Sequence, residues 1–420
     1  MATGIMLTFF DFRNDVRKVI QAMCSKSPVV LFIRKEHEEL IRQYTHLGFT
    51  YRIIQEKGTH TQDRLAMIAF LLFRKLPASK QNYYLMEQFK AEALDGEQRQ
   101  KALSILKWQR RLPKWLSYDC YLNRLVCTQQ TDLSDIDQMI AFTEIYDDHL
   151  LIRCIRERIP VKVYVYSWDH ACKHVRFSDR VQYLVWNAAI ARDVETLQHI
   201  PASSIRVAGA TQLGYVAWFR QNSVPQPRKS PTIYFGCGVG LPSLAMEEMR
   251  VILILAEHMR QLLPDHTLVV RLYPNSRNWD LYTALTAYPN IRLDNSYRQQ
   301  DLSIADTDIL QKFESIHSAV AFFHVGTTLG LEACFTSTPS FLLDLSPDTG
   351  APVSLYHFVH QYQNTKYLID THPLNTITTE LQLRAVLHDL HDPQYLRLNH
   401  EVQETFTVRT FEEMADALLE

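Results

Sequence analysis

Strand-like and helix-like segments alternate along most of this 420-residue chain, and this alternation constrains the fold more than any other feature. The segment 29–34, for example, begins with five apolar residues and is predicted to be a buried strand. A segment with helical spacing follows at 36–47 and ends at Gly48. Such alternation favours parallel sheets joined by crossover helices, so the sequence predicts an α/β protein.

One segment, 221–231, interrupts this pattern. It contains three prolines and almost no apolar residues, so we interpret it as an interdomain linker. The interpretation predicts an N-terminal domain at 1–220, with a helical insertion at about 64–126, and a C-terminal domain at 232–420. A chain of 420 residues is long enough for two domains.

Composition narrows the classes of protein that this chain can belong to. Hydrophobic residues make up 46% of the chain and charged residues 21%, which is enough apolar surface for a sizeable core. The formal net charge of −2 gives no global field that would attract nucleic acid. The seven cysteines include no close C-x-x-C pair, which indicates free thiols in a reducing compartment. With neither a signal peptide nor a transmembrane run in the sequence, we expect a cytoplasmic protein, with peripheral contact with the inner membrane face left open.

The segment 324–332 carries the clearest functional pattern. It follows the apolar run 319–323, passes through a turn of small residues and opens a helix. Unpaired amides at such a junction bind anions, and glycine lets a phosphate approach the backbone. The hydroxyls of Thr327 and Thr328 can add hydrogen bonds, and Glu332 can accept from ribose hydroxyls. The alternative is an ordinary strand–turn–helix unit in which threonine caps the helix.

This segment resembles the nucleotide-sugar box of GT-B glycosyltransferases. In that box a histidine stands two residues before a glycine, a glutamate six after the glycine and a proline seven after the glutamate. His324, Gly326, Glu332 and Pro339 keep all three spacings. The sequence 327–329 departs from the family's Trp-Asn-Ser, and its Gly-Thr-Thr form looks more like bacterial surface-polysaccharide transferases. The resemblance implies a GT-B fold, with two Rossmann-like domains whose parallel sheets face a central cleft.

Two further segments fit the donor side of such an enzyme. Arg271 ends a predicted strand where related transferases often carry Arg-x-His-Pro, and a guanidinium can bind phosphate oxygens in pairs. Tyr273 occupies the position of the family's histidine. The glycine-rich segment 236–240, which includes Gly238, resembles a dinucleotide loop only loosely, and a flexible turn is the equal alternative.

The acceptor side is predicted from a second resemblance. Some bacterial GT-B proteins carry a strand ending in Ser-Trp-Asp-Asn, and 167–170 keeps this pattern with histidine in the last place. Trp168 could stack on a sugar or a base, and Asp169 could act as a base or bind sugar hydroxyls. The alternatives are an aromatic side chain that fills the interdomain cleft and an aspartate that caps the next helix.

Other carboxylates and a histidine also follow predicted strands. Glu144 is our first choice for the catalytic base, with Asp169 as the second, because Glu144 lies nearest to its strand end. Asp147 is a further acceptor-side candidate, although an acidic residue in the first turn of a helix suits the helix dipole alone. His37 follows an earlier strand, and we interpret it more readily as an exposed residue at a helix start.

The segment 106–116 mixes four cations with Trp108 and Trp115. This composition suits a membrane surface that carries anionic lipid or a lipid-linked acceptor. A solvated helix end whose tryptophans pack inward is the alternative, and it is favoured because Pro113 interrupts any long amphipathic helix.

The sequence therefore predicts a glycosyltransferase that moves a sugar from a nucleotide-activated donor to a glycan or lipid-linked acceptor. Resemblance alone places it in bacterial surface-polysaccharide or lipopolysaccharide synthesis. No metal or other cofactor is expected, because GT-B enzymes stabilise the leaving phosphate with helix dipoles and side chains. Three alternatives stay open: a CDP-glycerol-type glycerophosphotransferase, a UDP-sugar 2-epimerase, and an inactive GT-B-like binding protein.

Overall fold

The computed structural model describes residues 2–7, 13–55, 60–126, 130–143, 147–222, 230–238, 240, 242–273, 279–294, 305–351, 353–361 and 363–420. Among these residues the strands are β1 Ala2–Met6, β2 Val29–Ile33, β3 Thr50–Ile53, β4 Ile136–Ala141, β5 Val161–Tyr164, β6 Gln182–Val185, β7 Ile205–Val207, β8 Thr232–Gly236, β9 Thr267–Arg271, β10 Ile291–Asp294, β11 Ala321–His324, β12 Ser340–Leu343 and β13 Thr376–Ile377.

Helices connect these strands. In the first half of the chain they are α1 Asn14–Cys24, α2 Glu38–Arg42, α3 Thr61–Phe73, α4 Lys80–Glu92, α5 Gly96–Arg111, α6 Tyr118–Leu122, α7 Asp148–Arg156, α8 His170–Lys173, α9 Ala188–Gln198 and α10 Gly214–Asn222. In the second half they are α11 Pro242–Leu262, α12 Trp279–Tyr282, α13 Asp306–Ser318, α14 Thr328–Ala333, α15 Leu355–Gln361, α16 Gln363–Thr371, α17 Glu380–His388, α18 Arg397–Thr405 and α19 Phe411–Leu419. Within the described ranges no helix is long and apolar enough to cross a membrane.

The chain forms two compact units. The first contains residues 1–84, 100–214 and 407–420, and the second contains 85–99 and 215–406. Most of the predicted linker, 223–229, lies outside the described residues. The four helices α3 to α6 occupy the interval between β3 and β4, where the sequence predicts a helical insertion.

The C-terminal helix belongs to the first unit, although the sequence predicts a second domain that extends over 232–420. A capping box between Thr410 and Glu413 begins α19, whose apolar side packs on α1. Phe411 lies so close to Gly214 that a Cβ at this glycine would be 2.5 Å from the Phe411 ring. Lys162 of β5 donates to the carbonyls of Leu418 and Leu419, each at 3.2 Å. The helix thus provides hydrogen-bond acceptors for the buried ammonium group of Lys162 and also covers the sheet.

Seven parallel strands form the sheet of the first unit, in the order β3-β2-β1-β4-β5-β6-β7. Successive connections run to one side of β1 and then to the other, so the order reverses between β1 and β4. In open α/β sheets, ligands bind outside the carboxyl ends of the strands at such a switch point. Glu144 follows β4 at this point of the chain, but it lies outside the described residues.

The sheet of the second unit has six parallel strands in the order β10-β9-β8-β11-β12-β13. Its strand order reverses between β8 and β11. Phe235 in β8 and Phe322 and Phe323 in β11 have no exposed surface, as expected where helices cover both faces of a parallel sheet. The two sheets confirm the predicted α/β class with two Rossmann-like domains.

Candidate functional site

Two turns of the second unit meet at the switch point of its sheet. Pairing of His324 with Gly236 brings the carboxyl ends of β11 and β8 level with each other. The turn after β8 contains Gly238, and the turn after β11 contains Gly326 and Thr327. The predicted glycine-rich loop and the predicted phosphate turn, separated by more than eighty residues, are therefore neighbours.

Both turns leave little room for a side chain, and the turn at Gly326 requires glycine. A Cβ on Gly238 would lie 3.1 Å from the Thr327 Cβ, so a side chain there would push the turns apart. Gly326 has a φ of +101°, which other residues rarely adopt, and a Cβ there would be 2.6 Å from Thr365 Cγ2. Because the two turns leave little room for side chains at these glycines, the backbone itself lies at the carboxyl edge of the sheet.

His324 is buried beneath the same turn, with 2% of its surface exposed. Its Nδ1 accepts the Gly326 N–H at 3.0 Å, so the ring proton is on Nε2. The ring lies over Gly330, where a Cβ would be 2.5 Å from Nε2. Burial lowers the pKa of His324 to about 3, so the imidazole is neutral near pH 7. His324 could offer a phosphate the Nε2–H donor but no positive charge, and its donor-binding role stays a prediction.

The threonines occupy the first turn of the helix that follows. Thr327 is the N-cap of α14, and its hydroxyl accepts from the Leu329 N–H at 3.4 Å. Thr328 is the first residue of α14 and is half-buried. The capping interaction matches the simpler interpretation of this segment, and it is compatible with a ligand at the turn.

Glu332 forms an ion pair with Lys312 of α13, and both side chains are largely buried. The Lys312 ammonium also lies 4.4 Å from the centre of the Phe313 ring, which fixes its position. For Glu332 to accept from ribose hydroxyls, its carboxylate would have to share its oxygens between Lys312 and the sugar.

Arg271 is buried and engaged with Asp294 of the neighbouring strand. The two residues are paired in the β9–β10 register, and Nη1 lies 2.7 Å from Asp294 Oδ2. Tyr234 of β8 also donates its hydroxyl to Asp294. This cluster joins the middle of β8 to the carboxyl ends of β9 and β10. It accounts for the arginine structurally, so phosphate binding by Arg271 stays a prediction.

Glu248 of α11 is a residue of this region that the sequence analysis missed. It has no exposed surface, and its Oε1 accepts the Gly238 N–H at 2.9 Å. Oε2 accepts from the Tyr282 hydroxyl at 2.5 Å, and the Cys237 thiol is a third hydrogen-bonding partner. Burial raises the pKa of Glu248 from its ordinary value of 4.5 to about 7, although the three hydrogen bonds act in the opposite direction.

A sequence pattern could have revealed this glutamate. Glu248 precedes Val251, Ile252 and Leu255 by three, four and seven residues, which places it on the apolar side of a helix. A carboxylate at such a position needs hydrogen-bond donors. Here it fixes the amide of the glycine turn that faces the switch point.

In the first unit, Asp169 follows β5 and is held by its own turn. Its Oδ1 accepts from the Ser167 hydroxyl at 2.6 Å, and its Oδ2 lies 2.5 Å from Lys173 Nζ. Burial acts to raise the pKa of Asp169, but the charges of Lys173 and His170 and these hydrogen bonds hold it well below its usual range. Such a carboxylate is a weak base at pH 7. Trp168 beside it is half-buried.

The other two acceptor-side candidates follow β4 and β2. Asp147 is the N-cap of α7, where its side chain accepts from the Leu150 N–H at 2.9 Å. His37 lies in a short turn before α2, and partial burial lowers its pKa. The capping contact gives Asp147 a structural role, and the acceptor-side role of both residues stays a prediction. Among the described residues, no group of three His, Cys, Asp or Glu side chains is arranged to hold a metal ion.

Comparison of the sequence with protein-family models and with curated proteins gives no match. Solved structures do match. The UDP-GlcNAc 2-epimerase from Neisseria meningitidis, bound to UDP-GlcNAc, has 10% identity and a TM-score of 0.50 over 100% of this chain and 97% of that one. A Listeria monocytogenes protein described as a UDP-N-acetylglucosamine 2-epimerase has 10% identity and a TM-score of 0.51, over 99% and 94% of the two chains. MurG from Acinetobacter baumannii has 13% identity and a TM-score of 0.49, over 100% and 99%. The two parallel sheets and the likeness to the first two structures show that the chain has the GT-B fold.

Proposed function

We propose that this protein is a glycosyltransferase that uses a nucleotide-activated sugar. One observation carries the proposal: the turns containing Gly238 and Gly326 meet at the switch point of the second sheet. The second of these turns also has the residue spacing of the nucleotide-sugar box. A switch point is where open α/β sheets place their ligands, and glycine turns let phosphate reach backbone amides.

The donor would bind along these turns. The Gly238 and Gly326 amides already donate to Glu248 and His324, so other amides of these two turns, with the hydroxyls of Thr327 and Thr328, would hold the phosphates. Glu332 would accept from the ribose. Arg271 and His324 would contribute to the same site only through donors that their present partners leave available. Hydrogen bonds aimed at the leaving phosphate stabilise the charge that develops on it, so the proposed reaction runs without a metal.

On the acceptor side, Glu144 is the proposed base. In the sequence it comes three residues after the end of β4, the strand that lies next to β1 at the switch point of the first sheet. Asp169 is the less suitable candidate because Lys173 holds its pKa low. A glycan or lipid-linked acceptor in bacterial surface-polysaccharide synthesis is the proposed substrate class.

A thermal-shift screen with UDP, GDP, CDP and CMP tests donor binding. A nucleotide at a hundred times its dissociation constant stabilises the folded protein by about 2.7 kcal/mol, which is a measurable shift. The absence of a shift with every nucleotide would refute the donor assignment.

Incubation of the nucleotide-sugar that binds, with and without acceptor glycans, then separates the activities. A transferase releases the nucleotide fast only when an acceptor is present. Conversion of the sugar without an acceptor would identify an epimerase, and turnover of CDP-glycerol a glycerophosphotransferase. Binding without any turnover would identify an inactive scaffold.

A further inference from the structure

One side of α3 exposes aliphatic residues to solvent. Asp63, Ala66 and Phe70 form the buried side of this helix, which packs on α6. On the opposite side, Leu65 is 63% exposed and Ile68 is 51% exposed. Single exposed apolar residues are ordinary, but adjacent ones on the outer side of a helix indicate an interaction surface.

Two exposed tryptophans adjoin the end of this helix. Trp108 of α5 is 59% exposed and Trp115 is 53% exposed. The prediction that these tryptophans pack inward is therefore wrong. At the end of α5 the buried side chain is Gln109 instead. Gln109 donates to the Leu71 carbonyl at 2.6 Å, which ties the end of α5 to α3.

A second set of contacts holds Trp115 at the same place. Lys114 donates to the Leu72 carbonyl at 2.9 Å, and the Trp115 ring lies 6.0 Å from the Phe73 ring. Leu65, Ile68, Trp108 and Trp115 thus belong to one part of the first unit, which we call the α3–α5 surface.

The charge of this surface is positive. From residue 100 to residue 118 the chain has no aspartate or glutamate, and it has five cations: Lys101, Lys107, Arg110, Arg111 and Lys114. Lys107 and Arg111 are exposed, and the Arg124 guanidinium lies 6.0 Å from the centre of the Trp115 ring. The whole chain has a formal net charge of −2, so this excess is local.

We propose that the α3–α5 surface docks on an anionic lipid bilayer. Its tryptophans and aliphatic side chains would enter the boundary between headgroups and acyl chains, and its cations would face the anionic headgroups. Apolar insertion and cationic attraction together give the two contributions that stable peripheral binding needs. Exposed Leu65 and Ile68 favour lipid over nucleic acid, because aliphatic side chains do not stack on bases. If the proposed function holds, docking would bring the acceptor-side unit to lipid-linked acceptors.

Vesicle flotation tests this proposal with the full chain. We expect the protein to float with vesicles of phosphatidylcholine and phosphatidylglycerol, to float much less with phosphatidylcholine alone, and to lose binding as salt rises. The double variant L65Q/I68Q and the variant W115A should weaken binding at low and high salt alike. The variant K107E/R111E should weaken it by about fivefold or more for each cation removed, and mainly at low salt.

The matched control is L381Q, which removes an equally apolar side chain, 79% exposed, from α17 of the second unit. It should float like the wild type, and circular dichroism should show that every variant keeps its fold. Three results would overturn the proposal: equal flotation with both kinds of vesicle, flotation unchanged in L65Q/I68Q and K107E/R111E, or no flotation at all.

If the protein does not float but forms a dimer that L65Q/I68Q dissociates, the occupant is a second copy of the chain. Gel-shift binding of RNA or DNA in its place would identify a nucleic acid. Nucleotide binding is measured in a separate assay, so the flotation result does not depend on whether the proposed donor site is correct.

Discussion

Replacement of Glu248 by glutamine should make the stability of the second unit less dependent on pH. The wild-type carboxyl has a folded-state pKa of about 7 and an ordinary value of 4.5, so the folded protein binds its proton more tightly than the unfolded chain does. The free energy of unfolding therefore falls as the pH rises from about 4.5 through about 7. Each unit of pKa difference corresponds to about 1.36 kcal/mol, which gives a loss of roughly 2–3 kcal/mol between about pH 5 and about pH 8.

Glutamine keeps the size of the side chain and one oxygen acceptor for the Gly238 amide, but it does not titrate. Urea unfolding at several pH values should show Glu248→Gln gaining stability relative to the wild type as the pH rises. Carboxyl NMR should show one glutamate signal with a midpoint near 7, absent from the variant. The control is Glu257→Gln on the same helix, where Arg260 and Gln261 lower the pKa of an exposed carboxylate. Because Glu257 titrates below this range, its variant should differ from the wild type by a constant amount. A constant difference for Glu248→Gln as well would refute the buried-carboxylate reasoning.

Three other substitutions test the second unit. Gly330→Ala should destabilise the fold by about 1–3 kcal/mol in thermal unfolding, because the new Cβ would meet the His324 ring, and a net gain from better helix propensity would contradict this packing. His324→Asn should make the free energy of unfolding less sensitive to acid. Because the folded-state pKa of His324 is about 3, the wild type should lose about 2 kcal/mol of stability between pH 7 and pH 5. Equal losses in both proteins would show that the imidazole is solvated. Glu332→Ala should weaken nucleotide binding about tenfold or more in calorimetry while Glu332→Gln retains part of it, and unchanged affinity in both would remove the ribose assignment.

The fold class could be predicted because most strands are short apolar runs in a regular alternation with helices. The first strand, β1, escaped notice because it contains Gly4, and glycine is unfavourable in a strand. Packing within the sheet explains why glycine occupies this position. A Cβ on Gly4 would lie 2.8 Å from the Met139 side chain on β4. The edge strand β10 was missed as well, because Arg292 and Asp294 give it a polar face.

The candidate site could be predicted only in part. Spacing predicts donor-site roles for His324 and Gly326 because the motif is local in sequence, and these roles stay predictions. The partners of the site residues are not local: Asp294 binds Arg271, and Lys312 binds Glu332. Such pairs depend on strand order and on which helices cover the sheet, and neither can be derived from one sequence. The inward packing expected of Trp108 was wrong for a similar reason, since helix spacing alone does not show which side of α5 meets α3.

The most direct test of the account is hydrogen–deuterium exchange with and without the nucleotide-sugar that binds. If the donor binds at this switch point, exchange should slow in two separate segments, 236–240 and 324–332, because both turns would donate amides to the same phosphates. Binding of a nucleotide-sugar that leaves exchange in both segments unchanged would contradict the assignment of the donor site to this switch point.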